Sequence, residues 1–142
     1  MKPYVLDLIH GDDIILWQRI SHAVKHLPSE IDLGRDEKDS EIILSCHILA
    51  RAAAKVFNAK FVDGRLCPNF DHSWISTSHS NIIDVYPVAT LGGPIIIYGG
   101  YDSQVRWHYL QGIDSIQLMR FFDSNSFKKA VDKMTEILRA QL

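Results

Sequence analysis

A chain of 142 residues that is 46% hydrophobic and 23% charged has the length and balance of one ordinary globular domain. Its formal net charge of −2 excludes the basic stripe with which a protein follows a nucleic-acid backbone, so no nucleic-acid partner is expected. Two cysteines, Cys46 and Cys67, are too few for a disulfide framework. The N-terminal MKPYVLDLIHGDD turns acidic too soon for a signal peptide, and no run approaches the roughly 18 apolar residues of a membrane span. The expectation is a cytoplasmic protein with no membrane partner.

In chain order, Asp12 or Asp13 is a suitable N-cap for IILWQRISHAVKHL, where Ile15, Leu16, Ile20, Ala23, Val24 and Leu27 recur at helical spacing until Pro28 stops the run. The charged PSEIDLGRDEKDSE that follows reads as a surface connection. Next, Ile42, Ile43, Cys46, Leu49, Ala53, Val56 and Phe57 form an apolar stripe in EIILSCHILARAAAKVF. That helix starts at Asp39 or Ser40, or as late as Ser45, and the choice matters because a thiol at a helix N-terminus is more acidic than one in mid-helix.

After Asn58 the period falls to two. KFVDGRL, NFDHSWIST, NIIDVYPV and PIIIYGG read as successive strands of a small antiparallel sheet, parted by glycine, proline and serine signals. The stretch YDSQVRWHYLQGIDSIQLMRFF gives no clear pattern. Ser124 or Ser126 then caps FKKAVDKMTEILRAQL, a helix with Phe127, Ala130, Val131, Met134, Ile137 and Leu138 on one face. The fold class expected is α+β in one domain over 1–142, a helix packed on a small antiparallel sheet with N- and C-terminal helices.

Asp84 interrupts an isoleucine-rich strand, and a buried carboxylate needs a partner. If the strands around it form a hairpin whose loop is centred on Ser78, His72 lies directly opposite Asp84 and Trp74 opposite Ile82, all on one face. Cross-strand Cβ atoms then stand about 5 Å apart, close enough for the carboxylate to accept the imidazole N–H. A slip of one residue would move Asp84 to the other face. A helix carrying Cys46, set against that sheet, brings a nucleophile to a base and its orienting carboxylate, the set required for acyl transfer.

The order Cys, His, Asp, carried by SCHILARAAAKVF, VDGR, DHSWI and NIIDVYP, resembles the papain-like superfamily and, within it, the small transglutaminase-like branch. The resemblance covers residue 45 to about 88 and looks like a bacterial or phage version reduced to its catalytic core. It implies a papain-like/transglutaminase-like core in which Cys46 is the nucleophile, His72 the general base and acid, and Asp84 the residue that holds the imidazole. It further implies a peptide or amide substrate and no cofactor. The interval from Cys46 to His72 is short for larger transglutaminases. No dedicated oxyanion side chain stands out; the Cys46 N–H is one donor and Gln18 a guess for another.

Other readings use the same residues. Cys46, His47, Cys67 and His72 are zinc-ligand types, but adjacent Cys46 and His47 point about 100 degrees apart on a helix and no CxxC spacing is present. His47 reads as a surface or flanking residue, and His79 as the exposed hairpin tip. Trp74 walls the substrate site or belongs to the core. The glycines of GGPIIIYGG bound a strand and lead into no helix, so they are turns and not a phosphate loop. A binding or regulatory module of the same fold, with His72–Asp84 a structural pair, is the alternative to an enzyme.

Overall fold

The computed structural model describes residues 7–28, 30–67, 69–86, 93–100 and 103–142. Pro87 and Val88, with which the sequence pattern ends the Asp84 strand, lie outside them, as does the MKPYVL opening.

The first helical pattern folds as α1, Gly11–Lys25, and buries Asp13, Ile20, Ala23 and Val24. Its N-cap is His10, not Asp12 or Asp13: His10 Nδ1 accepts the Asp12 N–H at 3.1 Å. A cap needs only an acceptor within reach of the first-turn amides, and a neutral imidazole has one. Asp13 is thereby free to turn inward. Only 1% exposed, its carboxylate accepts from the Thr77 hydroxyl and from the Asn81 side-chain amide, which ties α1 to a turn far along the chain.

The second pattern folds as α2, Cys46–Phe57, and resolves the open start in favour of Ser45. Ser45 is extended, and its Oγ accepts the Ile48 N–H at 3.3 Å, so Cys46 is the first helical residue. Eight of the twelve residues are buried, among them Ala50, Ala52, Ala53 and Ala54, and small side chains on more than one face let the helix sit close to two neighbours. Asn58 in the left-handed region ends it.

Five strands follow: β1 Lys60–Leu66, β2 Phe70–Ser76, β3 Ile82–Asp84, β4 Ile95–Ile97 and β5 Tyr109–Gln111. All pairs are antiparallel, and the order across the sheet is β4-β3-β2-β1-β5. The β5 strand lies in the stretch that gave no pattern. Helices α3, Ile116–Asp123, and α4, Asn125–Arg139, close the chain, and Ser124 joins them by capping α4 through the Phe127 N–H. The described residues thus form a mixed α+β fold of four α-helices and a five-stranded antiparallel sheet.

Alternation along the strands gives the sheet two unequal sides. Ile75, Ile83 and Ile96 face α2 and α4 in the main core with Leu49, Ala53, Phe127 and Met134. Trp74, Ile82 and Ile97 make a smaller cluster on the other side with Val62, Ile95 and Tyr109. His72 and Asp84 share the parity of Trp74 and Ile82, so the polar pair belongs to the smaller side.

Candidate active site

The β2–β3 hairpin turns one residue later than a loop centred on Ser78. Ile75 pairs with Ile83 and Ser76 with Ile82, and the turn closes by Thr77 N–H to Asn81 C=O at 2.9 Å, with Ser80 in the left-handed region. Direct opposition of His72 to Asp84, and of Trp74 to Ile82, is therefore wrong. The face survives, because the shift moves the partner by two residues, and two residues return a side chain to the same side. His72 meets Asp84 on the diagonal: Nε2 donates to Oδ2 at 2.9 Å, with the residues 9% and 3% exposed.

Asp84 Oδ2 also accepts the Tyr109 hydroxyl at 2.7 Å, while among the described residues Oδ1 accepts nothing. Burial and the neighbouring Asp84 charge push the Tyr109 hydroxyl far up, so it stays protonated and donates. Both donors thus fix one oxygen of a buried carboxylate. With Nε2–H committed to Asp84, His72 turns Nδ1 to other use.

Cys46 stands at the N-terminus of α2, where unpaired amides favour a negative charge. It is 9% exposed, and burial alone would raise its thiol pKa; hydrogen bonds with His47 and His72 and their charges outweigh this and bring it down to about 6. Burial would likewise lower His72, but the hydrogen bonds with Asp84 and then with Cys46 lift it to about 9. The two shifts describe a thiolate–imidazolium pair at neutral pH. The ladder between β2 and β3 stops at Ile75↔Ile83, so among the described residues no strand pairs with β2 beside His72 on that side.

A second polar chain starts from His47, the residue after Cys46 on α2. His47 Nδ1 is 2.7 Å from Ser73 Oγ, which donates to Asp63 Oδ1 at 2.6 Å. Arg51, one turn after His47 on α2, grips Asp63 with both guanidinium nitrogens at 2.8 and 2.6 Å. Asp63 and Ser73 are direct cross-strand partners, so the signal lay in the register of the β1–β2 hairpin. The sequence pattern marks His47 as a surface or flanking residue and points to none of Asp63, Ser73, Arg51 and Tyr109.

Trp74 is 3% exposed, with its indole 6.2 Å from the His72 ring and edge-on to Tyr109 at 5.1 Å between ring centres. It backs the imidazole as core instead of offering a surface to a ligand. Gln18 is exposed on the side of α1 away from Asp13, Ile20 and Val24, and among the described residues no hydrogen bond joins it to the site. Cys67 is exposed, and it does not gather with Cys46, His47 and His72 into a set of ligand atoms. The described residues do bring His10, Asp12 and His79 together, with ligand-type atoms within 4.8 Å of one another. Yet His10 Nδ1 already caps α1, and its ring stacks on His79 at 3.6 Å and 12 degrees, so the lone pairs run side by side instead of converging.

No helix among the described residues is long and apolar enough to cross a membrane. Compared with known proteins, the chain matches no protein-family model, no curated protein and no solved structure.

Proposed function

We propose that this protein is a cysteine-dependent hydrolase or acyltransferase acting on an amide or peptide-like bond, built on a transglutaminase-like, papain-like core. Cys46 is the nucleophile, His72 the proton carrier and Asp84 the group that keeps its tautomer. The observation that carries the reading is the union of an acidic thiol at a helix N-terminus with an imidazole whose far nitrogen is held by a buried carboxylate.

The Cys46 thiolate adds to the carbonyl carbon, and the C=O π electrons move onto oxygen. The Cys46 N–H belongs to the first-turn amides that a helix cannot satisfy internally, and it is the donor this reading assigns to the developing oxyanion. Collapse breaks the C–N bond as His72 Nδ1–H protonates the departing amine, leaving a thioester. A water, or an acceptor amine, then attacks that thioester; His72 takes its proton, and the thiolate leaves. The pair returns to its starting state.

The test is acylation by p-nitrophenyl acetate at pH 7, followed by peptide-level mass spectrometry. Acetyl transfer to Cys46 ahead of Cys67, with a thioester that persists longer in His72→Ala than in wild type, supports the reading. Equal labelling of both cysteines overturns it. The low exposure of Cys46 favours a second reading, a non-catalytic module on the same core, which expects that equal or inverted labelling.

A further inference from the structure

The charged connection between α1 and α2 carries a short hairpin. Arg35 and Glu41 face each other across it, while Asp36 N–H donates to Ser40 C=O and Ile42 N–H to Gly34 C=O, both at 2.9 Å. Asp36 Oδ1 stiffens the turn by accepting the Lys38 and Ser40 N–H groups, each at 2.9 Å. Along a strand the backbone groups point alternately to either side. Ser40 and Ile42 bond inward to the hairpin, so Glu41 and Ile43 turn their N–H and C=O outward. Among the described residues no hydrogen bond uses those groups. The chain is still extended at Ser45 and enters α2 at Cys46, which puts Leu44 within about 7 Å of Cys46, the reach of two residues.

A groove of about 950 Å³ opens beside this segment, walled by Leu27 and Ile31 from the chain after α1 and by Ile43 and Leu44. Ile43 is apolar yet 78% exposed. Three exposed carboxylates, Glu30, Asp32 and Glu41, line the groove against one cation, Lys25. Asp32 is engaged by the Gly34 N–H and by Lys133 at 3.8 Å, whereas among the described residues Glu30 and Glu41 have no partner for their side chains. An outward strand edge, an apolar slot and unmatched negative charge are together complementary to an extended peptide that carries an apolar residue and a cation.

We infer that this groove docks the substrate: an extended peptide adds to the Glu41–Ile43 edge, seats an apolar side chain against Leu27, Ile31 and Ile43, and sets a lysine or arginine against Glu30 and Glu41. The inference rests on the reading of Cys46 as the nucleophile and gives that site its substrate class. Glu41 and Ile43 share a face, so the cation and the apolar residue stand two positions apart in the peptide. The hairpin already holds the edge extended, which leaves little ordering to the moment of binding.

The experiment uses a fluorescein-labelled heptapeptide amide with leucine at its centre, lysine two positions to either side and alanine elsewhere; the control has glutamate for lysine. Anisotropy should show the lysine peptide binding wild type and the glutamate peptide not. N-methylation of the leucine should weaken binding about fivefold through the lost backbone bond. Ile43→Asp should weaken it about tenfold, and Glu41→Lys should weaken the lysine peptide while admitting the glutamate one. Both side chains are exposed, so neither variant threatens the fold. Saturating lysine peptide should also slow iodoacetamide alkylation of Cys46 without slowing Cys67. Equal binding of the two peptides, indifference to Ile43→Asp, or bound peptide that leaves Cys46 alkylation unchanged overturns the inference, and the nucleophile stands. A wild-type dimer that Ile43→Asp converts to monomer overturns it too, because a second copy then covers the groove. Equal labelling of Cys46 and Cys67 by p-nitrophenyl acetate overturns the nucleophile, and with it the groove's role toward a substrate.

Discussion

Tyr109 donates to the same oxygen of Asp84 that holds His72: the hydroxyl lies 2.7 Å from Oδ2, and the imidazole nitrogen 2.9 Å from it. A strand of three residues at the edge of the sheet therefore reaches the centre of the candidate site. Tyr109→Phe keeps the ring against Trp74 and removes one of two hydrogen bonds to a buried carboxylate. Loss of a bond to a charged group should destabilise the fold by about 1.5–3 kcal/mol, read as a lower urea midpoint at unchanged slope. Preferential labelling of Cys46 should persist, because the His72 bond to Asp84 remains. A variant as stable as wild type would mean that the hydroxyl has no part in fixing Asp84.

The opposed shifts of Cys46 and His72 set a pH signature. His72 is held at about 9 against an ordinary 6.5, so its contribution to stability is complete below pH 6.5 and lost as pH rises through 9. Cys46 is held at about 6 against 9.0, so its contribution is complete above pH 9 and lost as pH falls through 6. Between about pH 6.5 and 9 the two slopes cancel, and unfolding free energy should be level while labelling of Cys46 switches on near pH 6. Cys46→Ser removes the rising partner and leaves the Asp84-bound imidazole. Its stability should decline across that window, and chemical denaturation at pH 6.5, 7.5 and 9 decides; a level curve in the variant excludes the pair.

Gly64 stands opposite His72 on β1, and a Cβ there would overlap the Leu110 carbonyl oxygen and the outer edge of the Trp74 ring. A side chain can shift, but a carbonyl in the β1–β5 ladder cannot move without breaking pairing. Gly64→Ala should destabilise by about 3 kcal/mol, the upper range for overpacking, and should quench or shift Trp74 fluorescence. Thermal unfolding within a degree of wild type would show that the ring has room to retreat.

Asp13 is the remaining buried carboxylate with an assigned purpose. In Asp13→Ala the Thr77 hydroxyl and the Asn81 amide lose their acceptor, at about 1–3 kcal/mol for each polar group left unpaired. Hydrogen exchange should quicken first at the Thr77–Asn81 turn, since that is the segment the carboxylate fixes. Exchange that quickens evenly over the chain would argue against a local clamp.

How far the sequence foretold this arrangement differs from residue to residue. Strand β1 was legible at both ends because turn residues bound Lys60–Leu66. The partnership of His72 with Asp84 was legible because a period of two preserves faces under a two-residue shift. The register itself was not, since STSHS contains no glycine or Asn-Gly to mark the turn, and Ser80 takes the left-handed position that glycine would advertise. Tyr109–Gln111 is too short to display any period, and only tertiary contact places it beside β1. The His47–Ser73 contact was not legible, because a helical wheel gives the angle of a side chain and not what lies across from the first turn of α2. Likewise, nothing local distinguished Asp12 and Asp13 as caps from His10.

The guanidinium that matches Asp63 lies among three aromatic rings, 4.4 Å from the centre of Phe61, 4.2 Å from Phe122 and 5.2 Å from Phe127. Those rings come from β1, α3 and α4, so the cation is a hub between the last two helices and the floor of the site. Loosening of α4 is then not a peripheral event. As α4 loosens, Arg51 loses part of its aromatic seat and Asp63 the steadiness of its counter-charge, so the packing of α4 reaches through one guanidinium to the Ser73–His47 contact.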